Sequence, residues 1–212
     1  MKHFAGAAVA LVLAAPVSAA TLDFSGDICG GPCINNAPID STYGSILGQL
    51  AVSYTFNVNT ATSDAFLRWY GPDYSGLTGV AYGANGGRPE ILFTPAAGYE
   101  VTIRSFQLGA WPNQNRTTQV SVLDRDGNAL FASPAGITIS GTAPTTFSGP
   151  WTRSDGLRIQ WGPDGFNVGI DNIVFSVQPT GTTNVIPLPA SLWLLGGGLV
   201  ALLGAGRTRR RA

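Results

Sequence analysis

Carboxylates are the only abundant side chains in this sequence that suit acid–base chemistry, and the partners that most reactions require are missing. The single histidine, His3, and the single lysine, Lys2, both sit at the extreme N-terminus. Without them the rest of the chain holds no Ser–His–Asp relay, no lysine nucleophile and no histidine-ligated metal. Paired carboxylates remain, the arrangement used in glycoside hydrolysis. Of the twelve acids only Glu90 and Glu100 are glutamates, and the ten aspartates fall mainly in turn contexts such as Gly71-Pro-Asp73 and Gly162-Pro-Asp164. Aspartate is favoured there because its side chain hydrogen-bonds the backbone of its own turn. The chain is therefore expected to be non-catalytic, with a carboxylate glycosidase as the third-ranked reading.

Sugar recognition needs less: an aromatic face for the ring and a few polar groups for its hydroxyls. Trp69, Trp111, Trp151 and Trp161 are available, and Trp111 lies in the polar run Gly-Ala-Trp-Pro-Asn-Gln-Asn-Arg116, which reads as a loop. Trp111 with Asn113, Asn115 and Arg116 is the candidate glycan contact. Trp161 follows Leu157 and Ile159 in phase and is expected in the core, whereas Trp111 and Trp151 divide evenly between exposed contacts and plugs at the ends of the fold. Cys29 and Cys33, in Cys-Gly-Gly-Pro-Cys, are expected to bridge, because two glycines and a proline turn the chain tightly enough to bring the sulfurs together. Two cysteines without histidine do not close a zinc site.

The elements that must position these residues are strands. Glycine and proline supply 28 and 14 of 212 residues and charged residues only 11%, which excludes coiled coils, long helices and charge-rich disorder. Leu50, Val52, Tyr54, Phe56 and Val58 alternate with smaller or polar residues, the signature of a strand with one buried face. Further strands are predicted over 21–25, 65–70, 90–93, 99–108, 118–124, 129–132, 137–140, 156–161 and 168–177. Asp124-Arg-Asp-Gly-Asn128 is a hairpin signal, since Asp-Gly tolerates the positive φ of a tight turn. The alternation slips within Val101, Ile103, Phe106, Leu108 and again within Val168, Ile170, Ile173, Phe175, and each slip predicts a bulge. About ten short strands point to an all-β antiparallel two-sheet sandwich, most plausibly a jelly roll.

The two ends carry addresses. Lys2 precedes an apolar run from Phe4 to Leu13 and small residues up to Ala20, as in a secretory signal peptide cut after Ala19 or Ala20. At the other end Leu188–Gly206 is nineteen residues without a charge, followed by Arg207, Arg209, Arg210 and Arg211. That length spans one membrane, and the arginines hold the end in the cytoplasm. Setting both ends aside leaves seven arginines against twelve acids, a net of minus five, with no footprint for nucleic acid. The expected organisation is 1–20 signal peptide, 21–177 β-sandwich domain, 178–185 linker and 186–212 C-terminal sorting signal with a transmembrane helix.

Ile186-Pro187-Leu188-Pro189-Ala190, the uncharged span and the arginine cluster together closely resemble the PEP-CTERM sorting signals of Gram-negative bacteria, in the variant reading Val-Pro-Leu-Pro-Ala, with Ile at its first position. The resemblance covers roughly the last 27 residues. It implies processing by an exosortase, a membrane-anchored precursor in the inner membrane, a mature form at the cell surface or outside, and a link to exopolysaccharide or biofilm matrix; a permanent tail anchor is the alternative. Gly165-Phe-Asn-Val-Gly-Ile-Asp-Asn-Ile-Val-Phe175 is similar to the closing strand of galactose-binding-like jelly rolls, where an aspartate in this setting sometimes ligates structural calcium. Asp171 with Asp23 or Asp27 is the corresponding candidate here, against a role for Asp171 in accepting backbone amides at the bulge. The first-ranked function is thus an exported, non-catalytic surface or matrix protein, and the second a carbohydrate-binding module.

Overall fold

A computed structural model describes residues 19–61 and 63–181. Within that range twelve strands form: β1 (Ala19–Leu22), β2 (Leu50–Thr55), β3 (Arg68–Tyr70), β4 (Val80–Tyr82), β5 (Glu90–Pro95), β6 (Tyr99–Ala110), β7 (Arg116–Asp124), β8 (Ala129–Ala132), β9 (Ile137–Ile139), β10 (Thr145–Arg153), β11 (Leu157–Gly162) and β12 (Val168–Pro179). They build two antiparallel sheets. The first runs β10-β6-β12-β4-β3 with β1 also on β12, and the second runs β2-β5-β11-β7-β8 with β9 also on β7. No helix among the described residues is long and apolar enough to cross a membrane, and both terminal signals, the expected span at 188–206 and the sorting motif at Ile186–Ala190 included, lie outside them.

The alternation seen in the sequence sorts side chains between the sheets and solvent. Leu50, Val52 and Tyr54 of β2, Ile91 and Phe93 of β5, and Leu157, Ile159 and Trp161 of β11 all point inward. They meet Val101, Ile103, Phe106 and Leu108 of β6 and Val168, Ile170, Ile173 and Phe175 of β12 in one core. Phe93 and Phe175 touch across it with ring centroids 5.5 Å apart. Trp161 is fully buried, as its phase predicts, and its indole N–H donates to the Val168 carbonyl across the sheets at 2.7 Å.

Both predicted bulges are present in the β6–β12 ladder, with register shifts between Asp171 and Val174 and between Val174 and Phe175. One extra residue on each strand restores the pairing, so both strands keep their apolar residues inward on either side of the slip. The β12 bulge places Asn172 at φ 50°. At the same point β12 exchanges its neighbour on the other side, pairing with β4 at Ile170 and with β1 from Ile173. The Asp124–Asn128 hairpin also forms: the Asp124 carboxylate accepts the Asn128 amide at 2.8 Å and Gly127 takes φ 91°.

Two strands differ from the sequence reading. β4 is three residues in a glycine-rich stretch, too short for a period to register. β10 holds Gly149-Pro150 within its length and lies at the sheet edge, where proline costs no ladder hydrogen bond.

Candidate functional site

The outer face of the first sheet carries a second cluster, separate from the core. Its floor is made by Gly109 of β6 and Gly169 of β12, which face each other in the ladder. A Cβ on Gly109 would lie 2.4 Å from the Tyr74 carbonyl oxygen, and one on Gly169 would lie 2.6 Å from a Val80 methyl. The missing side chains let residues 71–79, the connection between β3 and β4, lie flat on the sheet. Tyr74 is fully buried there and donates its hydroxyl to the Phe166 carbonyl at 2.6 Å.

This connection is tied to the loop after β6. Ser75 accepts the Ala110 amide at 2.7 Å and donates to the Ser140 carbonyl at 2.6 Å. Its own amide donates to the Asn113 side-chain oxygen at 2.9 Å, and the Asn113 amide donates to the Asp73 carbonyl at 3.0 Å. Asn113 stands at φ 58°, a conformation asparagine tolerates better than most residues. The Trp111 amide donates to the Asn167 carbonyl, and Arg116 Nε donates back to the Trp111 carbonyl at 2.6 Å.

An aromatic shelf results. Tyr70 lies 5.7 Å from Tyr74, 6.3 Å from Tyr82 and 6.4 Å from Trp111, mostly edge to face. Phe166 lies 5.7 Å from Trp111 and 5.3 Å from Tyr82. Tyr74 and Tyr82 are buried, while Tyr70, Trp111 and Phe166 are partly exposed and form the accessible edge. Burial pushes the Tyr74 hydroxyl well above its ordinary range, helped by Tyr82, Tyr70 and Asp164 and opposed by Arg116. Asp164 and Arg116 therefore both act on this end of the shelf. Asp164 is held by the Asn167 side chain at 2.9 Å. No protein group among the described residues takes the Trp111 indole N–H, whereas Trp69 and Trp161 each donate theirs to a backbone carbonyl.

The sequence candidates are thus partly gathered. Trp111, Asn113 and Arg116 stand together, although the Asn113 side-chain oxygen and Arg116 Nε are spent on the loop and the Asn113 side-chain nitrogen donates to the Asp73 carboxylate at 3.5 Å. Asn115 turns to the Gly141 amide, which donates to its side-chain oxygen at 2.9 Å, so its amide group alone is left for a ligand. Tyr70 and Phe166 were not legible as partners of Trp111, nor Tyr82 as the ring packed against both. The one available signal was the repeated Gly-Pro-Asp, since the Asp73 carbonyl accepts the Asn113 amide and Asp164 holds Asn167, whose carbonyl accepts the Trp111 amide. Trp151 packs instead between Phe106 and Phe131, at 6.0 and 5.6 Å.

The remaining candidates lie elsewhere. Cys29 and Cys33 form a disulfide, with Cα atoms 5.3 Å apart. Asp171, 2% exposed, accepts the Asn172 amide at 2.7 Å inside the bulge, the hydrogen-bonding role set out above. Asp23 is close enough for its charge to raise Asp171, but it is itself engaged with the Ser25 amide and the Tyr43 hydroxyl. Asp27 is exposed. Among the described residues no group of three or more His, Cys, Asp or Glu is placed to hold a metal ion. Glu90 accepts from Gln160 at 2.6 Å and Glu100 from Gln178, on different sheets.

No family model matches the sequence, and no curated protein does. Among solved structures, the chain is similar to one described as "CBM4 structure and function", at 15% identity and a TM-score of 0.31, over 74% of this chain and 99% of that one. It is also similar to latent PorU from Porphyromonas gingivalis, at 17% identity and a TM-score of 0.33, over 71% of this chain and 15% of that one. A third is the isomalto-dextranase of Arthrobacter globiformis T6 complexed with panose, at 13% identity and a TM-score of 0.30, over 76% of this chain and 32% of that one. Likenesses this loose say nothing about the site, which rests on its own residues.

Proposed function

We propose that the chain is an exported, non-catalytic carbohydrate-binding β-sandwich displayed at the cell surface, with the Trp111 shelf as its glycan contact. The observation that carries this is the free, partly exposed edge of Trp111, set on a buried aromatic base and flanked by Arg116, Asn113 and Asp164. Such a shelf stacks on a pyranose face while amide and guanidinium groups reach its hydroxyls. The repeated passage of the chain between the sheets, at every connection but β3 to β4, β7 to β8 and β8 to β9, supports the jelly-roll, galactose-binding-like form of the sandwich. The engaged state of Glu90 and Glu100 supports a non-catalytic role over glycoside hydrolysis.

Position favours the same reading. β6 and β12 are twelve residues each and antiparallel, so they hold Trp111 on the order of 35 Å along the strand from Tyr99 and Pro179. The shelf faces away from the side where the chain runs on toward its sorting signal, as a module presenting itself to exopolysaccharide would require. A membrane exosortase would handle the opposite end.

A glycan array probed with the full chain in a non-glycosidic detergent tests the assignment. Micromolar binding to a polysaccharide is expected, with Trp111→Ala reducing it at least tenfold while the melting curve stays close to wild type. Turnover of any polysaccharide, or an array without a single ligand, overturns it.

A further inference from the structure

At the end of the sandwich opposite Trp111 the surface is apolar. Ser45–Ala51 and Thr94–Ala96 line an open depression of about 400 Å³, and none of these residues is charged. Leu47 stands at its rim, 100% exposed, against a described surface on which the only other exposed large apolar side chain is Ile34. A single exposed leucine is ordinary on a protein surface; what distinguishes Leu47 is its place at the rim of an uncharged depression.

The path of the chain points to what meets it. The Ala96 amide donates to Gln49, the Tyr99 amide to Ala96, and the Thr180 amide to Gly98 at 2.8 Å. The depression, the β5–β6 turn and the point where the chain leaves the domain are therefore one contiguous surface. From Gly181 to Leu188, where the nineteen-residue uncharged stretch begins, there are seven steps, a reach of at most about 24 Å when fully extended. A domain so tethered to a bilayer meets it at a high effective concentration. The depression beside the tether has an uncharged lining and an exposed leucine, and next to it stand Tyr99, a residue type enriched at membrane interfaces, and Glu100, whose carboxylate is taken by the Gln178 side chain.

We propose that this tip, Leu47 with Ile46 and Ala96, seats on the lipid surface and stands the sandwich upright with the Trp111 shelf outward. The proposal rests on the reading of 188–206 as a membrane segment. It does not depend on glycan binding.

The full chain, reconstituted in phosphatidylcholine–phosphatidylethanolamine vesicles, supplies the test. The native cysteines are bridged, so a fluorophore can be placed at Ala97→Cys beside the tip or at Gln114→Cys at the far end, both exposed. Nitroxide-bearing lipids are expected to quench the first label at least threefold more than the second. Leu47→Asp, which disturbs no packed contact, is expected to remove at least half of that difference. Equal quenching at both labels overturns the proposal, as does quenching that ignores Leu47→Asp. A blue-shifted but unquenched label at position 97 would assign the tip to a second copy of the chain and overturn the lipid assignment. Flotation after alkaline extraction reads the tether separately: a chain that does not float with the vesicles removes the membrane segment and the docking with it, whereas one that floats without quenching removes the docking alone.

Discussion

Asp171 is a carboxylate held where burial disfavours its charge. Burial pushes its carboxyl up to about 7; the Asn172 amide opposes this and the charge of Asp23 adds to it. In an unfolded chain the same group titrates near 3.8. Between those two values the unfolded state has released its proton while the folded state still holds it. This group therefore costs nothing below pH 4, destabilises progressively from pH 4 to 7, and costs a constant amount above. Three pH units correspond to a ceiling of about 4 kcal/mol. Asp171→Asn keeps an acceptor for the Asn172 amide without the charge. Urea melts of variant and wild type are expected to agree at pH 4 and to diverge by roughly 2–4 kcal/mol at pH 8, the variant being the more stable. Asp23, Asp40 and Asp124 are instead held below their ordinary values by hydrogen bonds, so the stability they contribute is fully present above pH 4 and is lost only below it, outside the window of this comparison. Calorimetric melts in saturating calcium and in chelator are expected to coincide, because the hydrogen-bonding role of Asp171 needs no ion; a calcium-dependent rise in midpoint would assign the site to the metal instead.

At the scale of elements, the outer cluster depends on two facing glycines. Gly109→Ala drives a methyl into a backbone carbonyl that cannot move aside, and Gly169→Val drives one into Val80 and Tyr74. Each is expected to cost about 2–4 kcal/mol in denaturant melts and to shift tryptophan emission as the 71–79 connection lifts from Trp111. The disulfide closes only a five-residue loop, so the chain-entropy contribution is about 2 kcal/mol. Reduction, or Cys29→Ser with Cys33→Ser, is expected to lower stability by no more than that and to leave glycan binding intact. Most elements were legible beforehand for a local reason. A strand with one wet face alternates, a bulge breaks the phase by one residue, and Asp-Gly permits a turn, all within a few positions. β4 and β10 were not, because three residues carry no period and Gly149-Pro150 reads as a break until the strand is known to lie at an edge.

For the whole molecule, the long β6–β12 pair sets the arrangement. It separates the Trp111 shelf from the exit of the chain, so under the proposed function processing at one end would leave recognition at the other unaffected. The proposal of C-terminal sorting predicts that the mature protein from its natural host lacks Arg207–Arg211, read by intact-mass spectrometry. A mature species that retains these arginines would leave a permanent anchor. The body carries a net of minus five, which favours neutral or basic glycans over polyanionic ones. Array binding is accordingly expected to weaken with increasing uronate or sulfate content, and more so at low ionic strength.

The amino-acid sequence alone determined the sheet-forming periods, the Cys29–Cys33 bridge, the inward phase of Trp161 and the expectation of an address at each end, because each is written in residues close together in the chain. Only the tertiary structure decided that no described residue takes the indole N–H of Trp111 or Trp151, whereas those of Trp69 and Trp161 reach backbone carbonyls. It also decided that Tyr70 and Phe166 flank Trp111 with Tyr82 packed against both, and that Asp171 is cut off from water. Those outcomes turn on contacts between residues 30 to 100 positions apart, made where two glycines let one loop lie against a sheet. No local preference encodes such a contact; it exists only once the strands have been placed in register.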